Sequence, residues 1–252
     1  MELKEFIKLS VNVLKDKTPY IEQKNLISDI FEKTENILVR LTIIDSLYST
    51  QMNKRLYGLN DLANEIGKIK DLDKEIQNFK DNKPNKISKL LDEKYGIKKS
   101  GREFGQARSL ISKYIYFATN YNFPIEDRLV KKVLNAVLKY FGYSEIDMDK
   151  NDILRELIIF CDNCEIKYSD FDNLLWLLGK IKEGSLASIV DKEKYEKIIE
   201  KLELSDIAES KVFDKKMAEK LKNINEIDKI KNLISNDFYE FLEFAKNIKI
   251  EK

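Results

Sequence analysis

The fold is decided by residues 109–127, SLISKYIYFATNYNFPIED. Apolar residues at helical spacing fill the first half, which also carries a single lysine, Lys113. A short polar turn and Pro124 follow, and proline is favoured at the first position of a helix. Glu126 and Asp127 then fall in the expected first turn of a second helix, where the helix dipole favours carboxylates. The stretch predicts two helices joined by one tight connection, and a lysine and a carboxylate held across it can form a catalytic pair.

The side chain of Lys113 is placed by the periodicity of the first helix, expected at about residues 106–119. Along a helix that turns about 100° per residue, Lys113 falls outside the apolar stripe and on the side of Gln106 and Ser109. We therefore expect Lys113 to face solvent or a cleft and not the core. The stripe consists of Leu110, Ile111, Tyr114, Ile115 and Ala118.

Few residues in this chain interrupt helices, since 252 residues include only 8 glycines and 3 prolines. This composition predicts an all-α protein. We expect one unit over residues 1–252, with lobes at 37–86 and 87–182 and flanking helices at 1–36 and 183–252. The segment Asp81–Lys86, DNKPNK, is the best linker candidate. The expected helices are residues 2–15, 20–33, 37–48, 56–69, 70–80, 87–95, 106–119, 124–141, 150–164, 169–180, 191–202, 213–223 and 226–248.

Several helix ends are predicted from local signals. Asn60 or Asp61 is expected near the cap of helix 56–69, and Gly96 is expected as the left-handed residue that ends helix 87–95. Ser169 followed by Asp172 reads as a capping box. Two helices carry enough apolar residues to be central: residues 37–48, expected to be buried on most sides, and the helix that holds Trp176. We expect Trp176 in the core, and a base-stacking platform is the alternative.

The chain has no histidine, which excludes serine–histidine and cysteine–histidine catalysis and histidine metal sites. Its two cysteines form one CDNC, Cys161 and Cys164, and a zinc site needs two further ligands. We expect them to be buried or half-buried structural thiols, with an opportunistic redox or metal pair as the alternative. Any catalysis must rest on Lys, Asp, Glu or Tyr.

The sequence has no apolar run of bilayer-spanning length. Its first residues, MELKEFIKLS, include acidic side chains and no small-residue cleavage site, which is atypical of a secretory signal. We therefore expect a cytoplasmic protein that does not associate with membranes.

Charge is uneven along the chain, although the net charge is +1. From Lys80 to Lys132 there are 13 Lys and Arg against 6 Asp and Glu, and the rest of the chain is acidic. Such a basic region predicts a face that attracts polyanions, and a solvated lysine-rich surface is the alternative. Within it, Lys98–Gly105, KKSGREFG, is expected to be a loop whose backbone N–H groups are free to meet an anion, and a flexible surface loop without a ligand is the alternative.

Three segments taken together resemble one known family: SLISKYIYF, FPIEDRLVKKVL and the later FDNLLWLLGK. They are similar to 8-oxoguanine DNA glycosylases of the helix-hairpin-helix DNA glycosylase superfamily. There a lysine opens the second hairpin helix and an aspartate soon afterwards caps another helix, and these positions fall on Lys113 and Asp127. IIDSLYSTQMNK also looks like the segment that inserts a polar side chain where the damaged base leaves the duplex, which makes Gln51 the candidate. The resemblance covers residues 37–182.

The resemblance implies a two-lobed helical fold and a base-excision repair enzyme, a DNA glycosylase and AP lyase that removes an oxidised purine through a lysine Schiff base. The implied catalytic residues are Lys113 and Asp127, and the implied partner is double-stranded DNA containing a damaged base. No cofactor or metal is expected, because the iron–sulfur cluster of some relatives needs four cysteines. We expect a monomer. The side chains expected at DNA are Gln51, Lys98, Lys99, Arg102, Arg108, Arg128, Lys131 and Lys132.

One departure from the family pattern motivates an alternative. The superfamily has a Gly-x-Gly turn just before the lysine, and residues 108–112 here are Arg-Ser-Leu-Ile-Ser. A catalytically inactive DNA-binding module of the same fold is therefore the second hypothesis. The third is an all-α protein-interaction scaffold, since the net charge is near zero and the region after Gly184 is built from charged helices.

Overall fold

The computed structural model describes residues 1–15, 18–148 and 153–250. Within these residues there are fourteen α-helices and no β-strand, so the all-α prediction is confirmed. None of the described helices is both long enough and apolar enough to cross a bilayer. Two 3₁₀ helices, Met52–Lys54 and Lys231–Leu233, complete the secondary structure. The α-helices, α1 to α14, are Leu3–Leu14, Pro19–Lys33, Ile37–Tyr48, Gly58–Gly67, Leu72–Lys80, Lys86–Asp92, Arg108–Ala118, Arg128–Tyr140, Ile153–Asn163, Tyr168–Glu183, Lys192–Lys201, Ser210–Lys220, Ile224–Ile230 and Asn236–Ala245.

The chain divides into two compact units. The first is built on α1, which packs along α14, with the ring of Phe6 stacked at 4.6 Å on the ring of Phe241. Trp176 is buried and stacks at 3.7 Å on Tyr20, so the core position predicted for this tryptophan is confirmed. Unit 1 consists of Met1–Gln23, Arg128–Met148 and Asp170–Lys252.

The second unit is built on α7, whose residues from Leu110 to Phe117 are all buried. Helices α3 and α6 pack against α7, and α5 packs against α6 and α9. Residues 81–85 are the turn between α5 and α6, and therefore connect two helices of one unit. Unit 2 consists of Lys24–Asp127 and Asp149–Ser169. The lobes expected at residues 37–86 and 87–182 stay a prediction.

The helix after the central connection begins four residues later than expected. Pro124 to Asp127 is non-helical, and α8 starts at Arg128. The buried carboxylate and the backbone N–H of Glu126 are both bound by α7, which holds this segment against that helix. The prediction that Glu126 and Asp127 lie inside the first turn is therefore wrong, and Asp127 directly precedes the helix.

The prediction that helix 37–48 is buried on most sides is wrong. In α3 only Leu41, Ile44 and Asp45 are buried, whereas Leu38 is 38% and Val39 46% exposed. The helix packs mainly on α4 and α7, and Leu38 and Val39 lie on a side that stays exposed. Apolar content alone does not report how many neighbours a helix has.

The capping box predicted from Ser169 and Asp172 is also wrong. Helix α10 begins at Tyr168 and not after Ser169, and the carboxylate of Asp172 accepts a hydrogen bond from Tyr20 Oη at 3.2 Å. Helix α4 begins at Gly58, and Asn60 and Asp61 lie in its first turn, near the cap as predicted.

Gly96 has the expected positive φ of 74°, yet it does not end a helix, because α6 already stops at Asp92. It lies beside the β-bridge between Leu56 and Ile97, where a Cβ would come within 2.8 Å of Leu56 O. A glycine is required there by backbone conformation and by close approach.

Two remaining differences concern helix ends. The first three residues of the predicted helix 150–164 lie outside the described residues, and α9 covers Ile153–Asn163. The predicted helix 226–248 is divided, because Ser235 accepts a hydrogen bond from Phe238 N at 3.2 Å and so caps a new helix, α14.

Candidate active site

Lys113 lies inside unit 2, and the prediction that it is not a core residue is wrong. Its side chain is only 3% exposed. Helix α7 is enclosed on the sides of its polar residues as well as along its apolar stripe, so Ser112 and Lys113 are buried with their apolar neighbours. Periodicity placed the lysine off the stripe correctly but could not show that another segment covers that side.

The ammonium of Lys113 meets the carboxylate of Asp127. Lys113 Nζ is 2.9 Å from Asp127 Oδ2 and donates a second hydrogen bond to Ser109 Oγ at 3.0 Å. It also lies 5.2 Å from the centre of the Tyr48 ring. Asp127 is 19% exposed, so the carboxylate is the side from which solvent reaches the pair. The buried charge is thus compensated by an ion pair, a hydroxyl and an aromatic face.

Two contacts from α7 hold the segment that carries Asp127. Ser112 Oγ accepts a hydrogen bond from Glu126 N at 3.0 Å, and Arg108 Nε donates to both carboxylate oxygens of Glu126 at 3.0 and 2.9 Å. Because Glu126 is fixed through both its backbone and its side chain, the next residue is held beside Lys113. Sequence analysis missed the roles of Ser112 and Glu126, which no local pattern indicates.

Arg108 was predicted to contact DNA, and its side chain is only 12% exposed. Besides Glu126, its guanidinium lies 3.4 Å from Asp92. Its Nε and Nη1 groups therefore both donate hydrogen bonds within unit 2. A DNA contact for Arg108 stays a prediction.

Gln51 is exposed in a sharply bent loop. Gln51 has a φ of 64°, and Asp45, buried near the end of α3, holds this loop. The Asp45 carboxylate accepts hydrogen bonds from Met52 N at 2.8 Å and Asn53 N at 2.9 Å, and a further one from Thr50 Oγ1. Asp45 was missed by sequence analysis, although a carboxylate inside an apolar helix just before short polar residues could have indicated it.

The basic loop at residues 98–105 is closed by its own backbone. Lys98 N donates to Arg102 O, and Gly101 N donates to Lys98 O, both at 2.8 Å. The expectation that the N–H groups of this loop are free for an anion is wrong for these two residues, because a tight turn uses them. The side chains of Lys98, Lys99 and Arg102 are exposed.

Arg55 fixes the far end of that loop and was not singled out from the sequence. Its guanidinium donates to Gly105 O at 2.6 Å and Gln106 O at 3.1 Å, and lies 5.2 Å from the ring centre of Phe104. Two carbonyls accepting from one planar group set the direction in which the chain enters α7.

Three further predicted DNA contacts, Arg128, Lys131 and Lys132, belong to unit 1. Arg128 forms a two-pronged ion pair with Glu183, whose Oε1 also lies 3.2 Å from Lys132 Nζ. Burial opposes ionisation of Glu183, but hydrogen bonds from the two basic residues outweigh it and the pKa of Glu183 is lowered. Lys131 and Lys132 line a cavity described below.

The thiols behave as structural groups. Cys161 is buried and Cys164 half-buried, as predicted. Burial raises the pKa of the Cys161 thiol far above its ordinary value. Across the described part of the chain, no three His, Cys, Asp or Glu side chains are grouped so as to hold a metal ion.

Comparisons of this chain with models of known protein families, with characterised proteins and with solved structures found no match. The likeness to helix-hairpin-helix glycosylases therefore rests on the residues quoted above.

Proposed function

We propose that this protein is a DNA glycosylase with AP lyase activity that removes an oxidised purine such as 8-oxoguanine. The observation that carries the proposal is the 2.9 Å contact between Lys113 Nζ and Asp127 Oδ2. The two residues are 14 positions apart, and the resemblance assigns catalysis to both. The reaction needs an amine and a carboxylate that lie close together in space.

In this reaction the damaged nucleotide leaves the stack, at a cost of roughly a few kcal/mol, and its C1′ approaches Lys113. The amine must first lose a proton, for which Asp127 is the nearest base. The Lys113 nitrogen then forms a bond to C1′, and the bond between C1′ and the base breaks, with the electron pair leaving on the base. Asp127 passes that proton to the departing base, and its carboxylate then stabilises the positive charge that develops at the sugar.

The covalent intermediate rearranges to a Schiff base between Lys113 and the opened sugar. Loss of a proton from C2′ then expels the 3′ phosphate by β-elimination, which cuts the strand. Affinity for DNA is supplied by exposed cations such as Lys98, Lys99 and Arg102, and Gln51 fills the space that the base leaves. Binding of this kind weakens steeply with added salt.

A second function is favoured by the burial of Lys113. A lysine 3% exposed and bound by a carboxylate and a hydroxyl serves well as a structural contact. In that case the chain is a DNA-binding module without catalysis, in line with the missing Gly-x-Gly turn. Such a module would bind duplex DNA in a salt-dependent manner and would not cleave either strand.

Borohydride trapping separates the two functions. The protein is incubated with a duplex containing 8-oxoguanine and sodium borohydride, and a covalent protein–DNA adduct is expected on a denaturing gel. Lys113→Gln is expected to give no adduct. Lys24→Gln is the matched control, since Lys24 is also a buried lysine of unit 2 and donates to Tyr116 Oη at 3.0 Å.

The proposal is overturned if the wild-type protein traps neither an 8-oxoguanine duplex nor an abasic-site duplex. It is equally overturned if Lys113→Gln traps as well as Lys24→Gln does. Duplex binding by wild-type protein that forms no adduct would support the non-catalytic module.

A further inference from the structure

A cavity of about 780 Å³ in unit 1 is lined almost entirely by lysine side chains. The lysines come from separate parts of this unit: helix α8, helix α10, the segment following α12 and the segment following α14. Ile248 and Ile250 complete the lining. We call it the lysine cavity, and its six lysines are Lys131, Lys132, Lys182, Lys222, Lys246 and Lys249.

None of the described residues that line the lysine cavity carries a carboxylate. Within residues 1–15, 18–148 and 153–250, four of its lysines, at positions 182, 222, 246 and 249, form no ion pair. Elsewhere in the same unit lysines are paired, as Lys220 and Lys229 are with Glu226 at 3.2 and 3.0 Å. In a chain whose net charge is only +1, the four lysines without an ion pair are a local excess of positive charge around one cavity, whereas Lys132 is paired with Glu183. Their mutual repulsion is relieved when an anion binds among them.

Lys182 is held by two backbone carbonyls. Its Nζ donates to Ala245 O at 2.7 Å and Ile248 O at 2.6 Å, which leaves one N–H of the ammonium for another acceptor. Burial and the neighbouring charge of Lys222 lower the pKa of Lys182 to about 8. The group is still mainly charged at neutral pH, and it forms no ion pair with any residue that the structure describes.

We propose that the lysine cavity is a binding site for a small, multiply phosphorylated anion of the triphosphate class. Its volume lies in the range typical of small-molecule sites. Lysines converge on it from several directions, an arrangement suited to surrounding a compact anion. Lysine ammonium groups are compact charges that, unlike the planar guanidinium of arginine, do not require a particular ligand geometry. We therefore expect affinity to increase with the negative charge of the ligand.

A phosphate-dense ligand has two possible sources, a free polyphosphate and the backbone of DNA. The convergent lining favours the free anion, since contacts to a duplex would follow a line of phosphates along a surface. The proposal does not depend on the glycosylase activity, because Lys113 and Asp127 belong to the other unit.

The test is calorimetric titration of the full chain at neutral pH without divalent metal. The probes are inorganic tripolyphosphate, pyrophosphate, orthophosphate and an undamaged duplex. We expect tripolyphosphate to bind at least about tenfold more tightly than orthophosphate. In Lys222→Gln/Lys246→Gln its affinity should fall by about tenfold for each lysine removed.

The matched control is Lys215→Gln/Lys216→Gln, which removes the same charge from exposed positions of α12. It should bind tripolyphosphate within about threefold of wild type. Thermal melting gives a second readout, because a ligand that binds the folded state raises Tm in wild type and not in the cavity variant.

The proposal is overturned if tripolyphosphate does not bind, or if the cavity variant and the control lose the same affinity. It is also overturned if only the duplex binds and the cavity variant weakens that binding, since the lysines would then contact DNA. The trapping experiment on Lys113 is unaffected by each of these outcomes, so the two proposals fail separately.

Discussion

Breaking the contact between Lys113 and Asp127 should cost unit 2 a measurable part of its stability. The ammonium side is 3% and the carboxylate side 19% exposed, and the two atoms are 2.9 Å apart. Removing one partner of a fully buried pair costs about 3–5 kcal/mol, and water access to Asp127 should reduce this to roughly 2–3 kcal/mol. A double-mutant cycle with Lys113→Gln, Asp127→Asn and both together should give a coupling energy of about 1–3 kcal/mol.

Urea unfolding followed by circular dichroism measures these free energies. The single tryptophan, Trp176, lies in unit 1, so its fluorescence gives a separate signal that the substitutions should move less. The exposed pair Lys197–Glu193, with atoms 2.6 Å apart, is the control cycle and should show a much smaller coupling. A Lys113–Asp127 coupling energy below about 0.5 kcal/mol would refute the reasoning, because substitutions of two groups in buried contact should change stability non-additively.

Three further predictions concern other sites. Gly96→Ala should destabilise the protein by roughly 1–3 kcal/mol in urea unfolding, because Gly96 has a φ of 74° and a Cβ there would approach Leu56 O to 2.8 Å. Unchanged stability would contradict the described backbone conformation at Gly96. A thiol reagent such as dithionitrobenzoate should modify at most Cys164 in the native protein, because burial raises the pKa of Cys161. Rapid modification of both cysteines would contradict this prediction. Between pH 8 and 10.5 the free energy of unfolding of wild type should rise relative to Lys182→Gln, by at most about 1.4 kcal/mol per pH unit. The pKa of Lys182 is about 8 in the folded protein and 10.5 in the unfolded chain, so the unfolded chain binds more protons in this pH range. The prediction is disproved if urea titrations show that the difference in unfolding free energy between wild type and Lys182→Gln stays constant or falls as the pH rises.

The sequence was sufficient for the fold class and for the pairing of two candidate residues. Scarce glycine and proline, together with helical spacing, predicted the all-α architecture because these are properties of local backbone. The contact between Lys113 and Asp127 also follows from local chain, since a short connection brings the two segments together.

Burial was harder to predict because it depends on residues far along the chain. Lys113 is enclosed because the segment before α8 lies beside α7, and that segment is held by Arg108 and Glu126, 18 residues apart. The exposure of Leu38 likewise reflects which helices pack on α3. Periodicity describes one helix at a time and contains no information about such neighbours.

The stack of Phe6 on Phe241 bears on how this protein is made. The second ring follows the first by 235 positions, and the two helices that carry them pack along each other. During translation α1 leaves the ribosome well before its partner exists, so its buried face, including Leu3 and Leu14, stays uncovered in the meantime. Unit 2 draws most of its residues from one continuous stretch and can assemble earlier. Nascent chains stalled before α14 should therefore bind hydrophobic-segment chaperones through α1.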